Sequence, residues 1–198
     1  LRIVIVHYHL LPGGVASVIR DSLVALARHG RWERVEAKIL SGSGDSTISF
    51  LEGLNRRAES AVKASIEHWP QLGYRAEDWP SREAFLSEAR QLANRLESVC
   101  REHRADLLWA HNPTVGKNPA LTEGLRLLAE RPHSFRVFYH LHDFAECSRF
   151  GNLRRLHRAW PGGGLDELYP QSPGAALITL TEADRERLIA AGYPKESV

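Results

Sequence analysis

Histidine changes charge near neutral pH more readily than any other side chain, and this chain sets it in pairs. His7-x-His9 and His140-x-His142 each have the spacing that, on a strand, puts two imidazoles on one face. His142 is followed at once by Asp143, a polar pair able to hold a hydroxyl or to meet a phosphate. A hydrogen-bonded His-Asp pair with a purely structural role fits the same two residues. His111-Asn112-Pro113, with Gly116-Lys117-Asn118 just beyond, forms a further polar group. The histidine pairs also have metal-ligand spacing. No cysteine or glutamate cluster accompanies them, so no metal is expected.

A second chemistry is suggested by "HYHLLPGGVASV", residues 7–18. Gly13-Gly14 lies between a strand-like run and a helical pattern. A helix opening at this point offers free N–H groups and the positive end of its dipole, and glycine lets an anion come close to the backbone. A tight turn that needs positive φ would explain the same pair. The loop is neither a GxGxxG fingerprint nor a Walker lysine pattern, and no GxSxG elbow follows any strand.

These residues must be positioned by the elements around them. "RIVIV" (2–6) reads as a buried parallel strand, and apolar residues from Val15 to Arg28 recur at helical spacing before Gly30. "RVEAKIL" (34–40) alternates as a second strand, 41–49 reads as a polar loop, and 51–69 as helix by composition. A clean apolar stripe predicts a long helix over 81–103. Strands follow at 106–111, 135–143 and 175–180. Helices are expected at 118–130, where Asn118 and Pro119 start it, and after Thr181, with Gly192 ending it. No strand is evident between 144 and 174. Within that stretch Arg149, Arg154, Arg155, His157 and Arg158 stand beside Phe150, Leu153, Leu156 and Trp160, the pattern of a short basic amphipathic helix. Such a helix can simply be a solvated face, or it can hold an anionic acceptor or touch anionic lipid.

Alternation of strand and helix predicts a single α/β domain over 1–198, a Rossmann-like, doubly wound, mostly parallel sheet flanked by helices. In such sheets ligands bind beyond the carboxyl ends of the strands, where strand order reverses. The glycine loop, His111-Asn112 and His142-Asp143 all fall at those ends.

Composition narrows the classes. The chain is 43% hydrophobic with net charge +2, too weakly basic to argue for nucleic acid, and it has no run long enough to span a membrane. Two cysteines in unrelated contexts argue against a disulfide framework and for a reducing, cytoplasmic setting. Methionine is absent and the chain begins inside a strand-like run, as a piece of a longer polypeptide would.

Four stretches, taken in order, resemble the N-terminal half of a GT-B glycosyltransferase, most closely the retaining family 4. They are "HYHLLPGGVASVIRDSLVALARHG", "DLLWAHNPTVGKNPAL", "FYHLHDFAE" and "ITLTEADRERLIAAGYP". The resemblance implies transfer of a glycosyl group from a nucleoside-diphosphate sugar to an acceptor hydroxyl, with no cofactor beyond that donor and no bound metal. It puts Gly13, Gly14 and Val15 at the donor phosphates and His142 with Asp143 at the transferred sugar. His9, His111, Asn112 and Lys117 become acceptor or cleft residues. The family's nucleotide pocket, with a basic pair and an E-x7-E motif, belongs to a C-terminal domain outside these 198 residues, so this domain alone is expected to be inactive. The stretch "HDFAECSRFGNLRRLHRAW" departs from the family pattern and leaves the acceptor open. Two other readings stand beside this one: a non-catalytic Rossmann-like module for a phosphorylated ligand, and half of a sugar-nucleotide epimerase.

Overall fold

The computed structural model describes residues 1–58, 60–147, 149–160 and 168–198. Six strands, β1 (Arg2–His7), β2 (Val35–Ser41), β3 (Val62–His68), β4 (Leu107–His111), β5 (Arg136–Leu141) and β6 (Ala175–Thr179), form one sheet in the order β3-β2-β1-β4-β5-β6. Every pairing is parallel. Strand order reverses between β1 and β4, so the crevice of this doubly wound sheet opens above those two strands.

Among the described residues, α1 (Gly14–His29), α2 (Thr47–Ala58), α3 (Arg82–Glu102), α4 (Pro119–Ala129) and α5 (Phe150–Ala159) connect successive strands, and α6 (Glu182–Ala190) follows β6. The central strands are apolar on both faces because helices cover both. Ile3, Ile5 and Ile39 pack with Ile19 and Leu23 of α1 and Phe50 and Leu54 of α2. Val4, Val6, Leu108 and Val137 pack with Leu92 and Leu96 of α3 and Leu121 and Leu125 of α4. Caps fix the helix starts, as expected at Asn118 and Thr181 and in addition at Ser81. The side chains of Ser81, Asn118 and Thr181 accept from the backbone N–H groups of Ala84, Leu121 and Asp184.

Two expectations are corrected. The segment 51–69 is not one helix: α2 starts earlier, within the stretch read as a loop, and 62–68 is the edge strand β3. Polar residues rich in Glu, Lys and Ala mimic a helix there. Val62, Ala64 and Ile66 nonetheless alternate, and β2 supplies the hydrogen-bonding partner that decides the outcome. Between 144 and 174 the described residues include α5, whose apolar side is seated through Leu156 while Phe150 is exposed. Among the described residues, no helix is long and apolar enough to cross a membrane.

Candidate functional site

The loop that leaves β1 turns into α1 at the crevice. Gly13 caps the helix in extended backbone, φ 167° and ψ −178°, which any residue adopts, and Gly14 is the first helical residue. Neither needs positive φ, so the tight-turn explanation fails. Packing does not require them either: a Cβ at Gly14 would meet nothing within 4 Å, and one at Gly13 only the Leu11 carbonyl oxygen at 3.9 Å. Among the described residues no side chain caps α1, and its first turn carries no acidic residue. The first N–H groups of an α-helix have no intrahelical partner, so α1 presents bare donors over open space.

That space is a pocket of about 200 Å³. Among the described residues its wall includes Gly13, Gly14 and Val15 on one side and His9, Tyr74 and Lys117 on another. Asn112, Asp143 and Arg149 close it from the β4 and β5 ends. Lys117 lies over the Tyr74 ring, 4.7 Å from its centroid, and the Tyr74 hydroxyl pairs with His9 Nε2 at 2.9 Å. Burial and the Lys117 charge lower the His9 pKa, which keeps the imidazole neutral.

Asn112 organises the strand ends. It sits in the left-handed region, φ 55°, a conformation asparagine tolerates better than most residues. Its Oδ1 accepts from the backbone N–H of Asp143 at 3.2 Å, and its Nδ2 donates to Asp143 Oδ2 at 3.2 Å. Its own N–H donates to the His140 carbonyl at 2.7 Å, while the buried Tyr8 hydroxyl donates to its carbonyl at 3.2 Å. Asp143 is held a second time by Arg149, whose Nη2 donates at 2.7 Å. The carboxylate therefore sits in place between an amide and a guanidinium.

No protein-family profile matches the chain. It is similar to mannosylglucosyl-3-phosphoglycerate synthase of Petrotoga mobilis, 28% identical over 193 residues, which is 98% of this chain. The chain spans about a third of that relative's length, 35%.

Of the residues singled out in the sequence, Gly13, Gly14, Val15, His9, Asn112, Lys117 and Asp143 meet in one pocket. His111 and His142 are not among the wall residues; they pair with each other instead, His111 Nδ1 lying 3.1 Å from His142 Nε2. Burial lowers the pKa of both, with Asp143 acting weakly the other way on His142. Sequence reasoning missed Tyr74, which lies in an irregular stretch where no spacing rule applies. It also saw Arg149 only as part of a basic helix, not as the partner of Asp143. No sequence signal marks the first: that Tyr74 is a half-exposed aromatic at the pocket is visible only in the folded chain.

Proposed function

We propose that this chain is the acceptor-side domain of a retaining GT-B glycosyltransferase that uses a nucleoside-diphosphate sugar. One observation carries the reading: the two glycines opening α1 are required by neither backbone nor packing, and they leave a bare helix N-terminus facing a pocket at the switch point. A diphosphate is the ligand that such a surface suits, because N–H donors and the helix dipole meet its charge at short range. In transfer, the bond between the anomeric carbon and the phosphate oxygen breaks and the electron pair stays on the diphosphate. Donors already aimed at that oxygen lower the barrier without reorganising.

His142 and Asp143 border the sugar in this reading, with Asp143 fixed by Asn112 and Arg149. Lys117 supplies positive charge on the acceptor side, Arg149 being paired with Asp143, and the Petrotoga mobilis synthase carries an anionic 3-phosphoglycerate in its name. An acidic acceptor, bearing phosphate or carboxylate, follows from both. The remaining nucleotide contacts are assigned to a second domain of the same polypeptide.

The test is a donor and acceptor screen on the full-length protein, reading release of nucleoside diphosphate. Release that depends on adding a phosphoglycerate-type acceptor is expected. Tight binding of a phosphorylated ligand with no release from any donor would sink the reading in favour of a binding module. Conversion of the donor sugar without transfer would favour an epimerase.

A further inference from the structure

Three histidines converge where β4 and β5 end. His111 and His140 are partners in the parallel register, and His142 follows His140 by two residues, on the same side of the chain. Their ring centroids are 4.9 Å (His111–His140), 5.4 Å (His111–His142) and 4.6 Å (His140–His142) apart. One ring nitrogen from each lies within 4.8 Å of the other two. Trp109 stacks on His140 with an interplanar angle of 8° and so fixes that ring's plane.

The hydrogen-bond inventory of this cluster does not close. Among the described residues, His111 Nε2 and His140 Nδ1 are buried with no hydrogen-bond partner, in residues only 1% and 5% exposed. Buried polar atoms are ordinarily satisfied, and here a neighbour supplies nothing. Protonation does not fill the gap, since burial and the neighbouring His142 hold His140 down to about 4, and burial with the surrounding imidazoles lowers His111 well below its ordinary value. Neutral imidazole is also the form that binds a metal ion.

We infer that His111, His140 and His142 form a three-histidine site for a divalent transition-metal ion, zinc being the best match. The cluster contains no carboxylate, which disfavours magnesium and calcium, whereas imidazole suits zinc, copper and nickel. Tetrahedral zinc with Zn–N of about 2.0–2.1 Å sets neighbouring nitrogens about 3.3–3.4 Å apart. His111 Nδ1 and His142 Nε2 are 3.1 Å apart already, so of the two orphaned nitrogens it is His140 Nδ1 that an ion seated there takes. Three protein ligands leave a fourth position for water or a ligand oxygen, as in zinc sites that do chemistry. His142, the half-buried member, marks the side from which the ion enters. The site stands independently of the glycosyl-transfer reading, and His142 bound through one nitrogen keeps the other to donate to a hydroxyl.

The experiment is equilibrium dialysis of the chelator-stripped protein against zinc, followed by elemental analysis, with cobalt(II) as a spectroscopic substitute. One zinc per chain that survives desalting is expected, together with the intense visible bands of tetrahedral cobalt. His142→Ala should weaken binding by more than the ~10–100-fold typical of losing an outer partner of a metal ligand. The surface variant His29→Ala should bind as the unmodified chain does. Should His140→Ala fail to fold, the cobalt spectra of the unmodified chain and His142→Ala still decide the matter. Zinc below about a tenth of an equivalent, octahedral cobalt, or equal affinity in His142→Ala would each overturn the site. None of these readouts involves sugar transfer, so a negative donor screen leaves them intact.

Discussion

Gly14 shows how a single residue can carry a functional argument when its surroundings make no demand on it. Its backbone is helical and a Cβ at this position has no described atom within 4 Å, so valine is accommodated with little disturbance of the fold. Gly14→Val in the full-length protein should leave the thermal midpoint nearly unchanged while raising the KM for donor at least tenfold. An unchanged KM would remove the phosphate role. Asn112 is the opposite case, since the fold leans on it through a left-handed backbone and side-chain bonds to Asp143. Alanine there loses those bonds and strains the backbone, which together should cost about 2–4 kcal/mol in chemical denaturation. Asn112→Gly removes the strain but not the lost bonds, and should recover only part of the loss.

Among the elements, α5 depends on a buried carboxylate. Glu123 of α4, 3% exposed, accepts from Arg126 through both oxygens and from Trp160 Nε1 at the end of α5 at 3.3 Å. Breaking a buried, hydrogen-bonded pair from one side typically costs about 3–5 kcal/mol, less where the partner can reach water or a second acid. Arg126 retains Glu130, so Glu123→Ala is expected to cost about 2–4 kcal/mol and to speed proteolysis near α5. Unaltered cleavage there would show that the apolar contacts of Leu153 and Leu156 and the Arg158–Asp78 ion pair hold the helix without Glu123. The edge strand β3 makes a different point. Its pattern is half-exposed and its residues are permissive, so only the open edge of β2 determines that it is a strand.

At the scale of the molecule, the two faces of the sheet protect chemistry unequally. Cys100 sits on the buried face of α3, where burial pushes its thiol up to about 12, whereas Cys147 is exposed. A thiol reagent should therefore modify one cysteine in the native protein and two in denaturant. Two reactive thiols under native conditions would mean that the α3 face opens. The crevice, by contrast, gathers loops from both halves of the sheet at the β1–β4 switch, which lets residues more than a hundred positions apart share one pocket.

Much of this was legible in the chain itself. The apolar strand cores, the stripe on α3, the caps at Asn118 and Thr181, and the clustering of polar residues at strand ends follow from periodicity and local hydrogen bonding, which act over a few residues. What the tertiary structure alone decided depends on pairing across the sheet. It made β3 a strand, brought Tyr74 and Arg149 to the pocket, and showed that Gly13-Gly14 is not a strained turn. It also placed His111 against the His140-x-His142 pair. A two-histidine spacing says little about a third ligand, because that ligand comes from the neighbouring strand, 29 residues earlier than His140 in the chain, and only the register of β4 on β5 brings them together.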